Sequence, residues 1–469
     1  MINRVIEDRA RNTPDRIAID DGLRLWTYAE LNARADELAA AMAPGERVAT
    51  LTASSAEHVA VFFACAKAGA ILLPLSWRLS PRELAFQLDD AEPALLLAAD
   101  ELAPLADEAL ALASGRPARA PSPSDTVSQG RPAADDPLLL VYTSGTTGKP
   151  KGALLTHANC FWTNLSFDLA TGIGQDDVVL QVLPQFHVGG WNVQPLLAWW
   201  KGATVVLERG FDPARALRLI EEKRVTTMMG VPATYLFMAN EPGFERADLS
   251  SLRRAVVGGA PMPEALLETW HRRGVDIVQG YGLTEAAPNV LCLAPEDAVR
   301  KLGWAGKPYP YVDVELSAEG ELLVRGPNVF AGYWRNPQAT AEAFAADGLL
   351  RTGDLAERDD EGNYRIRGRL KDLVISGGEN VYPAEVEAVL HEHPAVVEAA
   401  VVGRPDARWG EVCVAFVVLR EEVGAEELVE FCRGRLARFK VPKEVRFVEA
   451  LPRSGMNKVL KDELRAVFA

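Results

Sequence analysis

Between Thr143 and Gly152 the chain reads Thr-Ser-Gly-Thr-Thr-Gly-Lys-Pro-Lys-Gly, directly after the apolar run Pro-Leu-Leu-Leu-Val-Tyr. Glycines let backbone amides approach an anion closely, and hydroxyl and ammonium groups add further donors to phosphate oxygens. The run is not a Walker A loop, because Pro150 follows Gly148-Lys149 and Thr143 stands at the first glycine position. A flexible Gly/Thr turn is the competing reading. A buried strand leading into so many phosphate donors favours anion binding.

Other short runs carry chemistry-bearing residues at the ends of apolar segments. Tyr281, Thr284 and Glu285 lie in Gly-Tyr-Gly-Leu-Thr-Glu, and Asp354 ends Arg-Thr-Gly-Asp. Arg369, Lys371 and Asp372 lie in Gly-Arg-Leu-Lys-Asp, and Lys458 in Pro-Arg-Ser-Gly-Met-Asn-Lys-Val-Leu-Lys. Each has a plain alternative: a packed tyrosine, a solvated carboxylate or lysine, a turn aspartate, a surface ion pair.

The elements that must position these groups follow an α/β pattern. Strand-like segments at 47–54, 70–76, 137–144, 177–184, 203–210, 226–232 and 253–259 alternate with amphipathic helical stretches. One helix starts at Ser80-Pro81-Arg82-Glu83, with a capping serine, a proline at the first helical position and a glutamate that can return to the cap. Another covers Pro213–Glu222, and the first twenty residues read as a short polar helix. The apolar stretch Val59–Leu73, interrupted by Lys67 and Gly69, reads as a buried helix followed by a strand. Residues 114–136, rich in Pro, Ser and Gly, read as a surface connection. Beyond Arg369–Lys371 the pattern becomes small α+β units. We therefore expect a larger domain at 1–369 and a smaller one at 370–469.

At 469 residues the chain is too long for one ordinary core. Its net charge of −15 argues against broad nucleic-acid or anionic-membrane binding. No apolar run approaches membrane-spanning length and no secretory leader is evident. Five scattered cysteines show no metal-binding spacing and suit reduced residues of a cytoplasmic protein.

Taken together and in order, these motifs resemble the adenylate-forming superfamily of acyl- and aryl-CoA synthetases, peptide-synthetase adenylation domains and luciferases. The resemblance implies an α/β fold whose N-terminal domain holds two α/β sheet subdomains and a small β-barrel, with a mobile C-terminal α+β lid. It implies ATP, Mg²⁺ and coenzyme A as ligands, with a small carboxylic acid as the other partner and a homodimer allowed. Thr143, Ser144, Gly145, Thr146, Thr147, Gly148 and Lys151 would cradle the phosphates. Gly259, Ala260, Pro261, Tyr281 and Gly282 would receive adenine, and Asp354 and Arg369 the ribose. Thr284 and Glu285 would hold the metal. Lys371 matches the family hinge. Lys458, with Asn457 where most acyl-CoA synthetases carry glycine, matches the lysine that binds carboxylate and α-phosphate during adenylation; Lys461 is its near neighbour. Lys458, Thr284, Glu285 and His187 are thus the catalytic candidates. Gly377, Gly378 and Trp409 match positions along the coenzyme A channel, although each also reads as a turn glycine or a packed indole.

The segment Leu183–Trp200 matches the start of the acyl pocket and contains no carboxylate, so an amino-acid substrate would lack its counter-ion. His187, Trp191, Val231 and Gly258 would form an apolar wall, with Trp191 resembling the gate of a fatty-acid tunnel. A medium- or long-chain fatty acid is the first expectation and an aryl or alicyclic acid the second. Loading of a carrier protein, or a non-catalytic nucleotide-binding role, are the readings from other classes.

Overall fold

The computed structural model describes residues 1–115, 131–143, 150–453 and 459–468. The loop candidates Ser144, Gly145, Thr146, Thr147 and Gly148, together with Lys458, lie outside the described residues.

Among the described residues the strands form four sheets. The largest has nine strands, and its centre is parallel: Ile277–Gly282, Arg254–Val257, Thr227–Gly230, Val178–Gln181 and Thr204–Leu207 lie side by side. A second sheet of six strands pairs Leu95–Ala98, Arg47–Leu51, Ile71–Leu75 and Pro137–Thr143 in parallel, then adds Lys151–Thr156 and Gly332–Tyr333 antiparallel. Parallel strands are covered on both faces by their crossover helices, which is why these segments are near-continuous apolar runs. The helix Ala56–Ala68 is buried over almost its whole surface, as the apolar stretch predicted. It packs into one core with Trp191, Trp199 and the strands of both sheets.

The third unit, expected as a small β-barrel, is an antiparallel four-stranded sheet formed by Asp313–Leu316, Glu321–Arg325, Leu350–Arg358 and Tyr364–Arg369. After Arg369 a single 3₁₀ turn, Leu370–Asp372, leads into a fourth sheet with its own core of Val374, Val386, Val401, Ala415 and Leu428.

Local signals set several element ends. Ser80 accepts from the Glu83 amide while Glu83 returns to the Ser80 amide, and Pro81 opens the helix Pro81–Ala91. The helix Pro213–Glu222 is capped by Asp212. Two expectations are corrected. The first twenty residues are not one helix: Val5–Asn12 is helical, but Ile17–Asp20 becomes a strand of the large sheet. Residues 425–439 read in sequence as one helix, but the helix stops at Arg433, where Gly434 follows. Glycine is a poor interior helix residue. All five cysteines are buried and unpaired, and no helix among the described residues is long and apolar enough to cross a membrane.

Candidate active site

The candidate residues collect at the carboxyl ends of adjacent parallel strands. His187 follows Val178–Gln181, Val231 follows Thr227–Gly230, Gly258 and Gly259 follow Arg254–Val257, and Thr284 and Glu285 follow Ile277–Gly282. Thr143 ends a parallel strand of the second sheet. In open α/β sheets this edge is where ligands bind, because successive crossovers leave a crevice there.

The glycines in this crevice answer to close backbone approach. Gly259 has φ +82°, which a side chain would strain, and a Cβ on Gly282 would stand 1.8 Å from the Pro288 carbonyl oxygen. Gly259, Ala260 and Pro261 are exposed, so their backbone is open to a ligand.

Asp354 is the most constrained acid. It lies in the strand Leu350–Arg358 directly across from Arg369. The Tyr281 hydroxyl donates to Oδ2 at 2.6 Å, and Arg369 Nε stands 3.3 Å from Oδ1. Burial, and then the adjacent carboxylate, push the Tyr281 pKa well above its usual range, so the hydroxyl remains a donor. The preceding turn is fixed as well: the Asp354 amide donates to Thr352 Oγ1, and the Gly353 amide donates to Glu321 Oε1. Tyr281, Asp354 and Arg369 come from two different sheets, and the structure brings them into one cluster.

Glu285 forms the second cluster. Its Oε1 accepts from Tyr333 Oη at 2.8 Å and lies 3.5 Å from Thr143 Oγ1, while Lys151 Nζ sits 5.2 Å from the centre of the Tyr333 ring. Among the described residues no group of three His, Cys, Asp or Glu side chains could hold a metal. A hard carboxylate oxygen near Thr143 and Lys151 fits Mg²⁺, which typically uses one or two carboxylates plus substrate phosphates.

The pocket candidates separate. The His187 ring packs edge-on to Phe186 at 4.5 Å, and Phe186 meets Trp77. Val231 touches Gly259: a Cβ there would meet Val231 Cγ1 at 3.5 Å. Gly258 is buried against Met229. Trp191 is 0% exposed; its indole stacks on Phe62 at 4.7 Å, meets His58 edge-on, and donates to the Gln185 carbonyl at 2.6 Å.

In the smaller domain, Gly377 and Gly378 form the two-residue turn between strands Val374–Ser376 and Glu379–Val381, both with positive φ, as tight hairpins require. The Gly377 amide donates to the Trp409 carbonyl, and a Cβ on Gly377 would come within 2.9 Å of the indole. Trp409 is 40% exposed, with the Arg408 guanidinium 4.9 Å from a ring centre. Lys371 pairs with Asp462 at 3.1 Å, and Asp372 pairs with Arg465. Lys461 is tied to Glu387 at 2.6 Å.

Reading the sequence did not single out Tyr333, Thr352 or Glu321. Tyr333 sits in Gly-Tyr-Trp-Arg-Asn-Pro, which as a string looks like a loop. Its role arises only when Gly332–Tyr333 pairs with Ala153–Leu154.

The comparisons with known proteins agree with this geometry. The chain matches the AMP-binding enzyme family over residues 6–334 and the AMP-binding enzyme C-terminal domain over residues 385–458. It is 42% identical to a feruloyl-CoA synthase of Amycolatopsis sp, over 98% of this chain and 97% of that one. It is 38% identical to a long-chain-fatty-acid–CoA ligase of Mycobacterium tuberculosis, over 94% and 93%. The structure of o-succinylbenzoate CoA synthetase from Bacillus subtilis with its acyl-adenylate superposes with a TM-score of 0.90 at 34% identity, covering 98% of both chains. The chain belongs to the AMP-binding enzymes and, within them, to the adenylate-forming acyl-CoA synthetases, which are acid–thiol ligases using ATP, Mg²⁺ and coenzyme A.

Proposed function

We propose that this protein activates an uncharged, bulky carboxylic acid as its acyl-adenylate and then transfers the acyl group to coenzyme A. The observation that carries this reading is the meeting of Asp354, Tyr281 and Arg369 within the same strand-end crevice as Glu285, Thr143 and Lys151. That arrangement offers a ribose-sized acceptor beside phosphate- and metal-binding groups.

In the first step a substrate carboxylate oxygen attacks the α-phosphorus and the bond to pyrophosphate breaks. Asp354 accepts from the ribose hydroxyls while Arg369 and Tyr281 hold its two oxygens in place. Thr143 and Lys151, with Ser144, Gly145, Thr146, Thr147 and Gly148, bind the phosphates. Gly259, Ala260, Pro261, Tyr281 and Gly282 line the adenine position. Thr284 and Glu285 would hold Mg²⁺, which when bound neutralises polyphosphate charge. Lys458 supplies positive charge between carboxylate and α-phosphate. In the second step the coenzyme A sulfur attacks the acyl carbon and AMP leaves, with Gly377, Gly378 and Trp409 lining the thiol's approach. We place the domain boundary at 369/370 and the pivot at Lys371, so that one crevice serves both steps. The protein is assigned to the cytoplasm.

For the acid, the buried position of Trp191 favours an aromatic carboxylate. The indole packs on Phe62 and His58 of the helix Ala56–Ala68 and donates to the Gln185 carbonyl, so swinging it aside to open a tunnel would vacate a buried core site. His187, Val231 and Gly258 are then the residues assigned to the acyl side of the crevice. A medium- or long-chain fatty acid is the second reading, supported by the 38% identical fatty-acid ligase. A pyrophosphate-release screen over ferulate, benzoate, octanoate, palmitate and malonate tests both. Ferulate or benzoate should give the highest kcat/KM. Rates rising steadily from octanoate to palmitate would reinstate the fatty acid, and a preference for malonate would overturn both.

A further inference from the structure

Tyr333 touches two groups of the nucleotide site with two different parts of one side chain. Its hydroxyl donates to Glu285 Oε1 at 2.8 Å, and its ring face lies 5.2 Å from Lys151 Nζ. Tyr333 Oη and Thr143 Oγ1 both meet Glu285 at Oε1, the tyrosine at the shorter distance.

The placement is dictated by a bridge between the two large sheets. Tyr333 pairs with Ala153 on the strand that begins at Lys151, and the Trp334 amide donates to the Gly152 carbonyl. On the other side, the Phe330 amide donates to the Glu285 carbonyl, and the buried Asn328 donates to the Ala286 and Asn289 carbonyls. Residues 328–334 are therefore fastened to the Glu285 turn of the nine-stranded sheet and to the Lys151 strand of the six-stranded sheet. Phe330 packs edge-on against the Tyr333 ring at 4.9 Å and limits its movement.

We infer that Tyr333 is a positioning residue with two separable functions: its hydroxyl sets the Glu285 carboxylate for the divalent cation of the metal–nucleotide complex, and its ring sets Lys151 for the polyphosphate. This rests on the assignment of Glu285 and Lys151 made above. The roles differ chemically. A hydrogen bond to an ionised carboxylate is lost in Tyr333→Phe, whereas the cation–ring contact and the packing on Phe330 remain. Tyr333→Leu removes both.

The test measures binding rather than turnover. Mn²⁺ affinity is read by electron paramagnetic resonance in the presence of a non-hydrolysable ATP analogue, and analogue affinity without metal by calorimetry. All proteins are first matched in melting temperature. Tyr333→Phe should weaken Mn²⁺ about tenfold to a hundredfold, the scale of one charge-assisted hydrogen bond, with metal-free nucleotide affinity within about twofold of wild type. Tyr333→Leu should add a loss of metal-free nucleotide affinity that disappears when Lys151 is already Ala. Unchanged Mn²⁺ affinity in Tyr333→Phe overturns the inference. So does an equal loss of metal-free nucleotide in Phe and Leu, or a Leu effect that persists in the Lys151→Ala background. Glu285→Gln is the control for the underlying reading. If it leaves Mn²⁺ binding intact, the metal assignment fails irrespective of Tyr333.

Discussion

The nucleotide crevice and the hinge are built from different interactions. In the crevice, Asp354 is 7% exposed and held by Tyr281 and Arg369, while Glu285 is held by Tyr333. These are hydrogen bonds to carboxylates in partly buried surroundings, where losing one partner leaves a charge poorly solvated. At the hinge, Lys371 and Asp462 are 39% and 71% exposed. An exposed pair of this kind contributes about 0.2–1 kcal/mol, because water replaces either partner readily. Near the junction, Arg367 Nη2 approaches Glu385 at 3.6 Å, with both side chains about a quarter exposed. The crevice thus resists rearrangement, whereas the exposed Lys371–Asp462 pair at the proposed hinge can be exchanged at little cost. A protein that reuses one nucleotide site for two reactions needs both properties.

The sharpest way to break this comparison is to remove the charge that we assign to Lys458 in adenylation. Lys458→Ala should lower acyl-AMP formation by about 10²-fold or more, the scale for one preorganised electrostatic contact. Thioester formation from supplied acyl-AMP and coenzyme A should continue. Equal loss of both half-reactions in a folded variant would remove Lys458 from its assigned step.

Lys371→Pro addresses the pivot itself. Proline fixes φ near about −65° and removes an amide donor, so the variant should hold one domain arrangement. One half-reaction then survives and the other fails, with unchanged melting behaviour. Unimpaired conversion of acid to acyl-CoA would show that the pivot lies elsewhere.

A smaller effect is expected within the crevice from Tyr281→Phe. Removing a hydrogen bond to the Asp354 carboxylate costs about 1.5–3 kcal/mol, so KM for ATP should rise roughly tenfold or more with kcat less affected. A change confined to kcat would instead place the hydroxyl in the chemical step. The smallest effect belongs to Asp462→Ala, which should alter either half-reaction by less than about fivefold. Any change should fade at 1 M salt, where the screening length falls to about 3 Å. A large, salt-independent loss would mean that the hinge pair is as structural as the crevice contacts.

How much of this was legible follows from the range of each interaction. Ser80-Pro81-Arg82-Glu83 specified its helix start because every partner lies within one turn, and the capping box forms as the string implies. The apolar runs at 47–54, 70–76 and 137–144 specified parallel strands because burial on both faces needs continuous hydrophobicity. Asp354, Tyr281 and Glu285 were legible as candidates through short motifs. By contrast, Ile17–Asp20 was misread as helix, since its preference for a strand comes from pairing with Thr204–Leu207, far along the chain.

By itself, then, the sequence determined the α/β class, the local element starts and the set of groups that we propose for the nucleotide site. The tertiary structure decided which of them share a cluster. It set Tyr333 between Glu285 and Lys151, packed Trp191 on Phe62 and His58, laid Trp409 against Gly377, and left Lys371 beside Asp462 in solvent. Each depends on strand register or on packing between segments tens to hundreds of residues apart. Whether an aromatic ring becomes a core filler, a carboxylate clamp or an exposed platform is fixed by its neighbours in space, which no local pattern encodes.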